Sequence, residues 1–174
     1  MKKKNLVLFY PSYEKGGVTN ILKNLLENEN SKKFNVHIIS SKDFLKTKLI
    51  KKNFKFYPVD KIVNIPFSPQ RFITALNGMI VLISLLKNLK QNVIVHSMQS
   101  NVAAIIACMT QHKKIIIRNS ENPIYSTLNS ENIFFGIIAL SLKFLFYNFA
   151  DGIITNSKGS ANSLKYFVFN KKKI

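Results

Sequence analysis

The sequence predicts an α/β fold, a doubly wound and mostly parallel Rossmann-like sheet with helices on both faces. Three observations carry that expectation. Short apolar, β-favouring runs alternate with stretches of helical periodicity from one end of the chain to the other. The runs are apolar at nearly every position, as in strands covered on both faces. No internal repeat, low-complexity stretch or linker breaks the pattern, and 174 residues suffice for one full core, so residues 1–174 read as a single domain.

The first strand, residues 6–10 (LVLFY), ends at Pro11 and Ser12. Gly16 and Gly17 follow, and then Val18, Ile21, Leu22, Leu25 and Leu26 recur at helical spacing, with Asn20, Lys23, Asn24 and Glu27 on the opposite face. A strand end, a glycine pair and a helix start gather unpaired amides and a positive dipole end, which suits an anion and phosphate above all. The same residues serve equally as a plain βα turn. Neither the G-x-G-x-x-G fingerprint nor a P-loop is present.

Residues 34–40 (FNVHIIS) form the second strand, with His37 read as a packed histidine rather than a ligand. The most basic stretch is 42–61, where Lys42, Lys46, Lys48, Lys51, Lys52, Lys55 and Lys61 oppose only Asp43 and Asp60. Phe44, Leu45, Leu49 and Ile50 give it an apolar stripe, which suits a membrane-surface helix or a solvated helix over the sheet. Residues 54–59 are the third strand. Pro66 and Pro69 precede a long helix over 70–89, apolar nearly all round at 78–86.

The fourth strand is 93–96, followed by a turn at 97–100 and a helix through Met109 in which Cys108 packs as a small hydrophobe. Residues 113–118 (KKIIIR) are the fifth strand. The polar loop 119–129 (NSENPIYSTLN) leaves its C-terminal end, where open α/β sheets bind ligands. Residues 133–149 (IFFGIIALSLKFLFYNF) are the most hydrophobic segment, with Lys143 the lone charge. Because strand and helix alternate unbroken on both sides, this segment reads as a core or membrane-grazing helix rather than a span. Residues 152–155 make the sixth strand, Asn156 and Ser157 cap a helix through Phe167, and the tail 170–174 (NKKKI) is rich in lysine.

Composition narrows the chemistry. Lys and Arg number 26 against 8 Asp and Glu, giving a net charge of +18 and a pI near 10.1. Such a surplus favours polyanionic partners: nucleic acid, an anionic membrane face or phosphorylated substrates. Nucleic acid fits poorly, because the aromatic residues lie in apolar runs rather than among the lysines. One cysteine excludes an internal disulfide framework and fits a reducing compartment. The basic start is followed by too short an apolar run for a signal peptide, so a cytoplasmic protein is expected. No Cys/His spacing suits a metal and no G-x-S-x-G elbow is present; no metal or cofactor is expected.

Four pieces then match one family in order: the first strand with its Gly16-Gly17-Val18 loop, VIVHSMQSN at 93–101, IIIRNSENP at 115–123, and ADGIITNSKGSANSL at 150–164. The sequence resembles the N-terminal, acceptor-side domain of GT-B glycosyltransferases of the retaining family 4 type. The resemblance implies one half of a two-domain enzyme whose cleft lies between two Rossmann-like domains. It implies that the C-terminal donor-binding domain, with its paired glutamates (E-x7-E), is absent through fragmentation or truncation, or is supplied by a partner. A chain of this kind is expected to be inactive alone as a retaining hexosyltransferase.

By the same resemblance, Gly16 and Gly17 form the cleft loop facing donor phosphate or acceptor, and Arg118 either neutralises phosphate or pairs with Glu121. Glu121 stands nearest the position where many members carry a histidine by the reacting sugar, and is the candidate catalytic residue. His96, Ser97, Asn101, Ser120 and Asn122 are expected to shape the acceptor pocket. Implied partners are a nucleotide-sugar donor, used as substrate, and a lipid-linked or saccharide acceptor of surface polysaccharide or glycolipid synthesis. The inner, anionic membrane face is a further expected partner, met peripherally through Lys46, Lys48, Lys51 and Lys52. The alternative is a non-catalytic module that binds membrane surfaces or other polyanions.

Overall fold

The computed structural model describes residues 3–13, 16–27, 33–47, 54–60, 62–66, 68–89, 92–128 and 133–174. Side chains alternate across a strand with a period of two, and in strand β1 (Lys4–Tyr10) this alternation sorts the molecule into two cores. Leu8 and Tyr10 join Val36 and Ile38 of β2 (Phe34–Ser40), Phe44, and Leu22 and Leu26 from helix α1 (Gly17–Glu27). Val7 and Phe9 face the other way. They pack with Leu82, Leu85 and Leu86 of α2 (Gln70–Asn88), Ala104, Ile105 and Cys108 of α3 (Asn101–Thr110), and Leu164 of α6 (Lys158–Leu164). Helices therefore cover both faces, as expected.

The remaining strands are β3 (Phe54–Pro58), β4 (Val93–Ser97), β5 (Lys114–Asn119) and β6 (Gly152–Thr155). All six pair in parallel in the order β3-β2-β1-β4-β5-β6. The chain winds outward from β1 to β3, then crosses back to lay β4 on the other side of β1, with Phe9 beside Ser97. The strand order reverses between β1 and β4, and a crevice opens beyond the carboxyl ends there. Helix α2 approaches that end closely because of Gly78: a Cβ on this residue would lie 2.7 Å from Cβ of Pro11 and 3.1 Å from Cζ of Phe9.

Several expectations change. The basic stretch folds at Lys42–Thr47 as a short 3-10 turn that buries only Phe44, not as an amphipathic α-helix; residues 48–53 lie outside the described residues. The loop after β5 contains a short helix, α4 (Pro123–Leu128). The apolar segment forms α5 (Ile133–Phe146) and a 3-10 turn over Tyr147–Phe149, and of α5 only Gly136 is buried. It is a rim helix, not a core one. Helix α2 has the length and composition to cross a membrane, but its Ile73, Leu82, Leu85 and Leu86 are buried inside the fold.

Other local readings hold. Ser157 Oγ accepts from Ser160 N at 3.1 Å and caps α6, which stops at Leu164 rather than Phe167. Cys108 is buried, and burial, with the charge of Asp151 second, pushes its thiol up to about 12. His37 is buried between Tyr57 Oη (3.1 Å from Nδ1) and Asn5 Oδ1 (3.3 Å from Nε2). Burial, then the nearby charge of Lys55, lowers its pKa to about 4, so the ring is neutral. Asp151 clips β5 to the start of β6: its Oδ2 accepts from Ile115 N at 2.8 Å while its own N–H donates to Ile115 O at 2.9 Å. That gives the aspartate of the ADGII motif a structural role.

Candidate functional site

A cleft of about 550 Å³ occupies the crevice above β1, β4 and β5. The first turns of three helices border it, through Val18 of α1, Gln70 and Arg71 of α2, and Asn101 and Val102 of α3. Helix starts carry unpaired amides and partial positive charge, so their convergence favours an anionic group. The fourth wall is α5, through Ala139, Leu142 and Lys143. Ser12 after β1 donates to Gln99 Oε1 after β4, tying the loops on the two sides of the switch point together.

Two adjacent rows of residues at the ends of β4 and β5 behave differently. Ser97 and Asn119 belong to a paired network under the cleft. Ser97 Oγ donates to Asn101 Oδ1 (2.8 Å), and Asn101 Nδ2 donates to Arg118 O (2.8 Å) and Tyr147 Oη (3.3 Å). Tyr147 Oη donates onward to Asn119 Oδ1 (3.4 Å), and Asn119 Nδ2 donates to Glu121 O (2.5 Å). Burial drives the phenol of Tyr147 up to about 12, so it keeps the proton that it donates. The network holds the loop after β5 in place.

His96 and Arg118 precede Ser97 and Asn119 by one residue and project to the opposite face. His96 Nε2 and Arg118 Nε are buried without a hydrogen-bond partner among the described residues. Burial, and secondarily the charge of Arg118, lowers the pKa of His96. The ion pair between Arg118 and Glu121 does not form; Glu121 Oε1 instead receives Lys143 Nζ at 2.5 Å, leaving the guanidinium at the cleft without an acid among the described residues. Buried polar atoms without partners are rare in proteins; of Ser40 Oγ, His96 Nε2 and Arg118 Nε, which have none among the described residues, only Arg118 Nε belongs to a residue that lines the cleft.

Of the residues that the sequence singled out, Arg118, Ser120, Glu121 and Asn101 line the cleft together. Ser97 lies beneath it in the network, and His96 lies on the far face of the sheet end. Asn122 caps α4, its Oδ1 accepting from Ile124 N (3.1 Å) and Tyr125 N (3.3 Å). Gly16 and Gly17 sit exposed at the start of α1, outside the cleft lining; a Cβ on either meets no atom within 4 Å, and neither has positive φ. Their glycine character is not required by contacts within the described chain. Lys46 lies beyond the carboxyl end of β2, outside the cleft lining and paired with Asp43 at 2.7 Å, whereas Lys48, Lys51 and Lys52 lie outside the described residues. No group of three or more His, Cys, Asp or Glu able to hold a metal gathers among the described residues.

Sequence reasoning missed Lys143, Tyr147 and Ser100. Lys143 was visible as the one charge in an apolar helix. Ser100 lines the cleft with φ 55°, in the left-handed region, immediately before α3. No local sequence signal marked that conformation.

The strand order and the cleft at its switch point define a Rossmann-like domain. No protein-family model matches the chain, and no curated protein sequence matches it. Solved structures do. A putative UDP-N-acetylglucosamine 2-epimerase from Listeria monocytogenes aligns with all of the chain, at TM-score 0.65 and 15% identity, over 45% of its own length. A ugt transferase from Siraitia grosvenorii, in complex with UDP, aligns with 94% of the chain at TM-score 0.65 and 11% identity, over 48% of its length. Phytolacca americana UGT2, complexed with UDP-2fluoro-glucose and pterostilbene, aligns with 95% of the chain at TM-score 0.62 and 11% identity, over 51% of its length. At these identities the likeness is one of fold. The chain has the fold of one GT-B half and spans about half the length of these proteins.

Proposed function

We propose that this chain is the acceptor-side half of a retaining, family 4-like glycosyltransferase that moves a sugar from a nucleotide donor onto a lipid-linked or saccharide acceptor. One observation carries the reading. A cleft at the topological switch point is bordered by three helix starts and by Arg118, whose guanidinium has no acidic partner among the described residues. That electrostatic arrangement suits the negative charge that develops on a diphosphate leaving group as the glycosidic bond breaks. In this reading Arg118 and the start of α1 at Gly16 and Gly17 face the diphosphate. Glu121, steered by Lys143, orients an acceptor hydroxyl, and Asn101 and Ser120 shape the acceptor side. The paired network through Tyr147 keeps these groups in register.

The fold likeness to proteins solved with UDP and a UDP-sugar supports a nucleotide sugar as the donor class. A second Rossmann-like domain completes the cleft, so turnover is expected only with such a domain present. The test is a transfer assay with a panel of nucleotide sugars and membrane lipid extract, on the chain alone and joined to a matching C-terminal domain. Product formed only in the joined form is the expected result. No turnover of any donor by a folded two-domain protein would refute the proposal. A second reading, a non-catalytic module for polyanionic surfaces, is favoured by the net charge of +18 and would then stand in its place.

A further inference from the structure

Helix α5 is built inside out. A surface helix ordinarily turns its charged side to water and its apolar side to the core. Here the one charged residue, Lys143, is turned inward to Glu121 and is 18% exposed. The outward side presents Phe134 (65% exposed), Ile137 (53%), Ile138 (40%) and Leu145 (57%). Ser141, on the same side, turns its hydroxyl back to Ile137 O. The surface continues onto α4, where Tyr125 and Leu128 are each 68% exposed, and onto Phe169, whose ring meets Phe144 at 6.1 Å. Soluble monomers rarely leave an apolar surface of this extent facing water.

We infer that the outer face of α5, extended by α4 and Phe169, is the seat of this protein on an anionic lipid bilayer. Charge chooses the occupant. Over residues 133–174 the chain carries Lys143, Lys158, Lys165, Lys171, Lys172 and Lys173 against Asp151 alone, and Asp151 is engaged with Ile115 N. Lys173 Nζ donates to Asn148 O, which places the lysine-rich tail at the C-terminal end of α5. Apolar side chains with a cationic flank match acyl chains beneath acidic headgroups. A second copy of this chain, itself carrying a net charge of +18, would bring its own lysine flank against this one.

This face lies beside β5 and β6, at the edge of the sheet opposite the basic stretch that leads to β3. The inferred membrane contact therefore lies at the opposite sheet edge from Lys46. Because Ala139 and Leu142 of the same helix line the cleft, docking sets the cleft mouth at the lipid surface. The inference concerns where the protein sits, so it stands whether or not the chain transfers sugar.

The chain contains no tryptophan, so a single one reports its own position. Leu145→Trp and Leu45→Trp, the latter at an exposed site in the basic turn, are mixed with phosphatidylcholine vesicles with and without phosphatidylglycerol. The expected result is a blue shift and quenching by brominated acyl chains at position 145 only, with the anionic vesicles only. A Phe134→Ser, Ile138→Ser, Leu145→Ser variant with unchanged far-UV circular dichroism is expected to lose roughly tenfold or more in vesicle partition. Partition equal to the unsubstituted chain, a shift at position 45 instead of 145, or a dimer that ignores vesicles and is dissolved by the triple variant would each overturn the inference.

Discussion

Ser97 and Asn119 differ from His96 and Arg118 by one residue each, yet the two pairs meet opposite fates. The first pair is tied through Asn101 and Tyr147 into a continuous hydrogen-bonded network. The second pair leaves His96 Nε2 and Arg118 Nε without a partner among the described residues, and of the two only Arg118 lines the cleft. The paired row is scaffold. In the unpaired row, Arg118 is the residue that borders the cleft.

The comparison breaks most visibly at Asn101. Asn101→Ala removes bonds to Ser97, Arg118 O and Tyr147 at once, and is expected to lower unfolding free energy by about 2–3 kcal/mol in denaturant titration. A loss below about 0.5 kcal/mol would show that the network is not scaffold.

A buried histidine with partners sharpens the contrast next. His37 is neutral in the fold, donating from Nε2 to Asn5 and accepting at Nδ1 from Tyr57. Its pKa of about 4 lies below the ordinary 6.5, so the unfolded chain takes up the proton first as pH falls. Stability is therefore full above pH 6.5 and drops through the window down to pH 4, by on the order of 2 kcal/mol after allowance for solvent screening. The lowered pKa of His96 acts in the same direction. Denaturant titrations of His37→Gln at pH 7 and pH 4.5 are expected to show a shallower drop than the unsubstituted chain. An identical drop would place the acid sensitivity elsewhere.

Ser100 tests the backbone of the cleft rather than its side chains. At φ 55° a serine sits where glycine is at no disadvantage, so Ser100→Gly is expected to raise the melting temperature slightly, by about 1 kcal/mol of stability. A fall would mean that its hydroxyl matters more than its φ. Least affected in stability is Arg118→Met. Because Arg118 Nε has no hydrogen-bond partner and the side chain no acidic partner to lose among the described residues, the change is expected to stay within about 0.5 kcal/mol of zero.

Much of this architecture was legible from local pattern. The bounds of β2 and β6, the start of α2 and the Ser157 cap follow from apolar runs and short polar signals close in sequence. Helix α4 was hidden in a loop reading although its signal was present: Asn122 caps it and Pro123 opens it, the positions these residues favour. The orientation of α5 was not legible, because a helix apolar on every side has no periodicity to show which side is inward. Only packing turned Lys143 toward Glu121, 22 residues away. Fold was written locally; the site was assembled across distance.

The most direct test of the account is a thermal shift with UDP, with pyrophosphate as a second probe, on the chain and on Arg118→Met side by side. Ligand that binds only the folded state raises the melting temperature in proportion to its occupancy. The account predicts a rise with the unsubstituted chain that is lost or sharply reduced in Arg118→Met, whose melting temperature without ligand is unchanged. An equal rise in both proteins would place anion binding on the surface lysines, and would contradict the claim that the unpaired arginine marks the ligand side of the cleft.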